Sequence, residues 1–128
     1  MIDLGTYTTK VGFAPSSNEL ASSSECFPKF MIPTIVGQSK LAPGRLGESS
    51  SSANYGTTFV GFEALRRSTQ LSLKYPMEHG IVMDWDDISR LIKYSVTDCL
   101  KVEFESLTSG LMITESALNP KKHRERMA

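Results

Sequence analysis

The first fourteen residues contain a short turn whose residue types can bind a phosphorylated ligand. Gly5 and Thr6 separate two short segments with apolar residues, which predicts a β-hairpin of strand, tight turn and strand. The backbone N–H groups of such a turn can converge on an anion. Asp3 can hold Mg²⁺ through water, because this ion takes few carboxylates and keeps several waters, and Lys10 can neutralise phosphate oxygens as a point charge. A surface hairpin with an incidental acid and base explains the same residues, so the turn alone leaves both interpretations open.

The elements that must position this turn can be read from the apolar pattern that follows it. The helix that begins at Trp85 is the clearest, because Asp84 is a suitable N-cap and the apolar residues that follow share one face. Asn119 is predicted to cap the last helix, with Pro120 at its first position. The order of elements indicates a mixed sheet with helices packed on it. The predicted strands are 30–36, with Pro33 at an edge or bulge, 71–75 and a buried strand 111–114, and the predicted helices are 63–67, 85–100 and one from 120.

Two segments are predicted to be loops. Residues 15–29 are rich in serine and contain two prolines. Residues 38–58 contain a run of four serines and three glycines, and this composition offers little apolar area to offset the entropy of ordering. We therefore predict that 38–58 is mobile. A loop of about twenty residues is unusual in a compact domain, so it is either functional or disordered.

Composition argues against several classes of function. The 128 residues include 14 Lys and Arg and 14 Asp and Glu, so the net charge is zero and gives no general attraction to nucleic acid or to an anionic membrane. The basic cluster at 121–126 also contains Glu125 and fits the solvated face of a helix. Cys26 and Cys99 have no metal-ligand spacing, which favours a reduced intracellular compartment. We expect no membrane span, since no apolar run is long enough, and no signal peptide, since Asp3 interrupts the start.

Four stretches of the chain resemble signature sequences of one protein family and occur in that family's order. The longest runs from Lys74 to Val82 and continues with Asp84 to Asp87. A second is Thr114-Glu115 with Leu118-Asn119-Pro120 and Arg124-Glu125, and the others are Ile32 to Gly37 and Asp3 to Ala14. The family is actin and the actin-related proteins, and the resemblance covers nearly the whole chain except the two loops. It implies an α/β chain with the N-terminal portion of the actin-like fold, which has a ribonuclease H-like core.

The resemblance implies two subdomains and a nucleotide site. Residues 1–33 and 76–128 would form part of the first outer subdomain, and residues 34–75 a smaller second subdomain that contains the mobile loop 38–58. The cofactor implied is ATP or ADP with Mg²⁺. The family pattern places Asp3 near the metal through water, Gly5 and Thr6 against phosphate, Lys10 on phosphate oxygens, and His79 near the loop that senses phosphate.

Two of the departures from conventional actin bear on nucleotide binding and assembly. Tyr7 stands where conventional actin has glycine in the phosphate turn, and a side chain there limits how closely the backbone approaches phosphate. Some actin-related proteins of chromatin complexes resemble this turn, so Tyr7 stays among the expected nucleotide-binding residues. The loop 38–58 corresponds to the loop that contacts the next subunit in actin filaments, and its serine-rich composition argues against actin-like polymerisation.

Three functions stay open at this point. The first is an ATP-binding actin-related protein that is a structural subunit of a cytoplasmic, cytoskeletal assembly of the actin or dynactin type. Its partners would be other actin-family or complex subunits, with actin-binding proteins as further candidates, and neither nucleic acid nor membrane. The second is an actin-related subunit of a nuclear chromatin-remodelling complex, and the third is a truncated chain without nucleotide binding. Because the family's second phosphate loop and adenosine pocket correspond to no part of these 128 residues, we expect at most a weak ATPase in the complete protein and none in this chain alone.

Overall fold

The predicted hairpin at the start of the chain is present and belongs to a three-stranded antiparallel sheet. The computed structural model describes residues 1–14, 27–40, 58–106 and 110–128. Strands β1 (Ile2–Leu4), β2 (Thr8–Val11) and β3 (Phe30–Pro33) lie in that order, and each pairs antiparallel with the next. Alternation places Ile2, Leu4, Thr9, Val11 and Ile32 in the interior.

The predicted buried strand at 111–114 is wrong. Ile113 makes a single parallel bridge with Ile2, in which Ile2 N–H donates to the Met112 carbonyl at 2.8 Å and Thr114 N–H donates to the Ile2 carbonyl at 3.0 Å. A strand requires a run of paired residues, and among the described residues this segment has one bridge. Met112 is 62% exposed, so the segment lies at the margin of the core.

A second sheet follows, and its first strand shows that the predicted bounds of strand 30–36 and of loop 38–58 are wrong. Strands β4 (Val36–Ser39), β5 (Thr58–Val60) and β6 (Leu71–Lys74) form an antiparallel sheet in the order β5-β4-β6, and helix α1 (Phe62–Arg66) joins β5 to β6. The expected strand 30–36 is therefore two strands in two sheets. The break follows Pro33, which has no N–H for a ladder, and Thr34 uses its N–H and hydroxyl to bind the turn after β1.

The predicted loop 38–58 is shorter than expected at both ends. Gln38 and Ser39 complete β4, and Thr58 begins β5. These residues pair with their neighbours in the ladder, Gln38 with both Thr58 and Ser72. Residues 41–57 lie outside the described residues, so the mobility of this segment stays a prediction. The predicted strand 71–75 and helix 63–67 are confirmed within one residue.

The helix predicted from Trp85 is confirmed, together with its cap. Strands β7 (Met77–Glu78) and β8 (Ile81–Val82) form a small hairpin that leads into α2 (Trp85–Tyr94). Asp84 accepts hydrogen bonds from the N–H groups of Asp86 and Asp87, both at 3.1 Å. The helix continues as a wider π-helical turn, Ser95–Cys99, and a short 3-10 turn, Phe104–Ser106, comes after it.

The last helix, α3 (Lys121–Met127), starts differently from the prediction. Pro120 is the cap residue, and its carbonyl accepts from the N–H groups of His123 and Arg124. Asn119 donates its own N–H to the Ser116 carbonyl at 3.0 Å and so closes the turn that precedes the helix. Its side chain is buried, and its Oδ1 has no hydrogen-bond partner within the described part of the chain. The predicted Asn119 cap is therefore wrong, because the helical hydrogen bonds begin at the Pro120 carbonyl and the Asn119 side chain accepts from no N–H group of the described first turn.

Two apolar clusters hold these elements together. The larger one lies between the first sheet and α2, and helix α3 adds Met127 to its edge. The smaller one lies under the second sheet, where Ile35, Ala64 and Leu71 are buried. The larger cluster is built from Ile2, Leu4, Val11, Ile32, Met77, Val82, Ile88, Leu91, Val96 and Leu100.

The proposed subdomains, 1–33 with 76–128 and 34–75, stay a prediction. Among the described residues, no helix is long and apolar enough to cross a membrane.

Candidate functional site

Three side chains form a polar row on the first sheet, on the face opposite its core. Asp3 and Lys10 are direct partners in the β1–β2 ladder. The Lys10 ammonium donates to Asp3 Oδ2 at 2.9 Å, and the Thr114 hydroxyl donates to Asp3 Oδ1 at 2.6 Å. The single bridge beside β1 brings Thr114 to this position, although it lies 111 residues further along the chain. Asp3 is thus held from both sides.

The charge of this row is set by the contacts of Asp3. The hydrogen bond from the Thr114 hydroxyl lowers the pKa of the Asp3 carboxyl below its ordinary value, and the hydrogen bond from Lys10 lowers it further. Asp3 is therefore a carboxylate at neutral pH. The Lys10 and Asp3 side chains are 46% and 40% exposed, so a ligand can reach both.

The turn from β1 to β2 is fixed by contacts on its two sides. A Cβ atom on Gly5 would lie 2.6 Å from the Thr8 carbonyl oxygen, so only glycine lets the two ends of the turn approach this closely. On one side, Thr34 donates its hydroxyl to the Gly5 carbonyl at 2.7 Å and its N–H to the Tyr7 carbonyl at 2.9 Å. On the other side, Gly80 N–H donates to Thr6 Oγ1 at 2.9 Å.

A buried pair of threonines supports the turn from below. The hydroxyls of Thr9 and Thr34 are 2.9 Å apart, and both residues are fully buried. Because the single hydroxyl proton of Thr34 goes to Gly5, the Thr9 hydroxyl is the donor in this pair. Thr9 therefore holds Thr34, which in turn holds the turn between β1 and β2. Thr9 is 0% exposed, because the alternation of β2 points its side chain toward the core.

Five of the six predicted site residues lie on one hairpin: Asp3, Gly5, Thr6, Tyr7 and Lys10. The sixth lies in another turn. His79 adopts a left-handed backbone conformation with φ 49° in the β7–β8 turn, and its side chain is exposed. It is the next residue, Gly80, that contacts the site, through its N–H.

Tyr7 has a backbone in the ordinary negative-φ region and a side chain that is 78% exposed. It does not pack into the turn.

Sequence reasoning missed three residues that hold the site: Thr34, Gly80 and Thr114. Each lies within a stretch that carries the family resemblance, and that membership is the signal that could have pointed to them. Their partners, however, lie 29, 74 and 111 residues away in the chain. No local pattern indicates which hairpin atom each of them contacts.

A metal ion at this site would have one protein carboxylate nearby. The described residues contain no group of three or more His, Cys, Asp or Glu side chains placed to hold a metal. Each oxygen of Asp3 has more than one lone pair, so it can accept from a metal-bound water in addition to Thr114 or Lys10. This donor set fits Mg²⁺, which retains waters and binds through few carboxylates.

The lowered pKa of Asp3 predicts a pH-dependent contribution to stability. Because the folded-state pKa lies below the ordinary value of 3.8, the contribution is complete above that pH and is lost as the pH falls through the folded-state pKa. The effect is expected to be small, since the side chain is partly exposed. The measurement compares the free energy of unfolding of the wild type and Thr114→Val across this range. The difference in the free energy of unfolding between the wild type and Thr114→Val should become smaller in acid. In proteins that also carry Asp3→Asn, the effect of Thr114→Val should be the same at every pH. An effect that is independent of pH in both backgrounds would contradict the assignment.

A comparison with protein families places this site in context. The family model described as Actin matches residues 1–128, which is the whole of this sequence. The match includes the hairpin, the turn at Gly80 and the segment that carries Thr114. The mixed α/β architecture with antiparallel sheets agrees with the fold expected for the N-terminal portion of that family. The chain belongs to the actin family.

Proposed function

We propose that the complete protein binds ATP or ADP with Mg²⁺ at the turn between β1 and β2. The observation that carries this proposal is the row of Thr114, Asp3 and Lys10 beside a turn that is held on both sides. At the tip of the turn, the N–H groups of Thr6 and Tyr7 donate to no backbone carbonyl among the described residues. Two such groups next to a lysine form a site for an anion.

The residues of the hairpin fit the phosphates of a nucleotide. Lys10 has three N–H donors and gives one of them to Asp3, so phosphate oxygens can take the others. Gly5 keeps the turn narrow, because the Thr8 carbonyl oxygen occupies the space that a Cβ would need. Asp3 would orient the waters around Mg²⁺, and the ion itself supplies charge neutralisation for the phosphates.

For the role in the cell, we propose a structural subunit of a cytoskeletal assembly in the cytoplasm. Membership of the actin family supports an assembly role, with other actin-family subunits as partners and actin-binding proteins as further candidates. The competing proposal, a subunit of a nuclear chromatin-remodelling complex, is favoured by Tyr7 in the phosphate turn. Imaging of the tagged full-length protein separates the two, because a nuclear signal would contradict the cytoskeletal proposal and a cytoplasmic signal the nuclear one.

Mg-ATP is expected to raise the melting temperature of the full-length protein. A ligand at a hundred times its dissociation constant stabilises the folded state by about 2.7 kcal/mol. Asp3→Asn should reduce the shift with Mg-ATP more than the shift with metal-free ATP, because its contact with the nucleotide runs through the metal. A thermal-shift titration with and without a chelator measures both effects.

The control for this titration is Asp86→Asn, since Asp86 is also an exposed aspartate but lies in the first turn of α2. It should leave both shifts unchanged. A flat titration of the wild type would end the nucleotide proposal and leave an actin-family chain without nucleotide binding. An equal loss of both shifts in Asp3→Asn would keep the nucleotide but remove the metal role of Asp3.

A further inference from the structure

The fold alone does not explain the side chain of Tyr7, in the turn between β1 and β2. Its backbone has negative φ, so the position does not require glycine. Its ring is 78% exposed, so it contributes little to packing. Gly5, two residues earlier, is the opposite case, because a Cβ there would lie 2.6 Å from a carbonyl oxygen. Any effect of Tyr7 must therefore come from its ring and hydroxyl, not from the shape of the backbone.

The backbone from which this ring projects is held by hydrogen bonds on both sides. Thr34 N–H holds the Tyr7 carbonyl at 2.9 Å, and Gly80 N–H holds the hydroxyl of the preceding Thr6 at 2.9 Å. With the backbone clamped on both sides, only the two side-chain torsions of tyrosine can move the ring. Immobilising so few torsions costs little entropy, which makes tyrosine suitable as a contact residue.

The chemistry of the tip favours a phosphate as the group that Tyr7 meets. The N–H groups of Thr6 and Tyr7 have no backbone carbonyl acceptor among the described residues. A phosphate bound to these two groups would lie next to the root of the tyrosine side chain. The phenol is at the far end of the ring, so it can donate its proton to an oxygen of the next phosphate of the nucleotide, and hydrogen bonds to charged acceptors are the stronger kind. The ring would at the same time cover the bound group from water.

We propose that Tyr7 is a ligand-contacting residue that retains the bound nucleotide, through a hydrogen bond from its hydroxyl to a phosphate and through the cover that its ring provides. The proposal rests on the nucleotide binding put forward above. It assigns the departure from glycine a positive function at this site: slower release of nucleotide. Because the ring contacts the nucleotide after it has bound, we expect it to change mainly the dissociation rate.

Stopped-flow displacement of a fluorescent ATP analogue from the full-length protein tests this inference. Tyr7→Phe removes only the hydroxyl and should speed dissociation by about tenfold, the lower range for a hydrogen bond to a charged group. Tyr7→Gly removes the ring as well and should speed it further. Tyr75→Phe is the matched control, because Tyr75 is also an exposed tyrosine and follows β6 in the second sheet. Its dissociation rate should equal that of the wild type.

The outcomes separate this inference from the proposed function. If the analogue binds and all variants release it at the wild-type rate, the role of Tyr7 is overturned while nucleotide binding stands. If Tyr7→Gly binds more tightly, Tyr7 obstructs the site and the inference is also overturned. If the wild type binds no analogue, the proposed function fails first and the inference fails with it. Unchanged melting temperatures of the free variants exclude a folding defect, since the ring is mostly exposed.

Discussion

Replacing Lys10 with alanine is expected to weaken ATP binding by about ten- to a hundred-fold. The lysine contributes a hydrogen bond to a charged group, and such a bond contributes about 1.5–3 kcal/mol. The substitution also leaves Asp3 without its cation at 2.9 Å, so a full negative charge faces the incoming phosphates. Both consequences reduce affinity. An equilibrium titration of the full-length protein with a fluorescent ATP analogue measures the change.

A matched lysine elsewhere controls for general loss of positive charge. Lys121 is 90% exposed on α3 and pairs with Glu125 on the same helix. Lys121→Ala should leave the affinity within about twofold of the wild type, because exposed pairs on a helix contribute little. Equal affinities for Lys10→Ala and Lys121→Ala would show that Lys10 does not contact the nucleotide, and would return the hairpin to the simpler interpretation of an incidental acid and base.

Replacing Leu91 with alanine is expected to have the largest effect on stability. Leu91 lies on α2, is 0% exposed and belongs to the cluster that holds the first sheet against this helix. Truncation of a fully buried leucine removes apolar contacts and leaves a cavity, and it typically costs about 2–5 kcal/mol. Urea unfolding followed by circular dichroism measures the loss, with the slope of the transition as a check that the unfolded state is unchanged.

The control for this substitution is the same change at an exposed leucine. Leu118 is 92% exposed in the segment before α3, so Leu118→Ala should change the free energy of unfolding by less than about 0.5 kcal/mol. A loss below about 1 kcal/mol for Leu91→Ala would mean that the cavity collapses or that α2 does not pack as described. Since Asp84 caps this helix and the β7–β8 turn precedes it, such a result would also weaken the account of how Gly80 reaches the site.

Local patterns were sufficient for the elements whose signals come from neighbouring residues. The hairpin followed from two short segments around Gly5 and Thr6, and the start of α2 followed from Asp84, whose carboxylate binds two N–H groups as expected of an N-cap. The candidate site was predictable to the same extent. Asp3 and Lys10 were found from their residue types beside the turn and from the family resemblance, and the structure adds that they are partners in the ladder.

The errors arose where hydrogen bonds that the apolar and capping patterns do not reveal decided the structure. The apolar run 30–36 has the pattern of one strand, but the hydroxyl and N–H of Thr34 bind a turn that is far away in the sequence, and the strand breaks there. Asn119 has the local signature of a cap, but the helical hydrogen bonds begin at the Pro120 carbonyl and Asn119 Oδ1 accepts from no N–H group of the described residues. The segment at 111–114 is apolar enough for a strand, but it meets β1 in a single bridge, between Ile2 and Ile113.

The position of Thr34 has a consequence for motion. The chain passes from the first sheet to the second at this residue and returns near residue 75, and the two connections are side by side because Val36 and Lys74 are partners in the β4–β6 ladder. A tilt of the second sheet would therefore use this pair of connections as its axis. Thr34 lies on that axis and also holds the carbonyls of Gly5 and Tyr7, so the tilt would be transmitted directly to the hairpin tip. The orientation of the smaller sheet and the shape of the turn between β1 and β2 thus share a contact at one buried threonine.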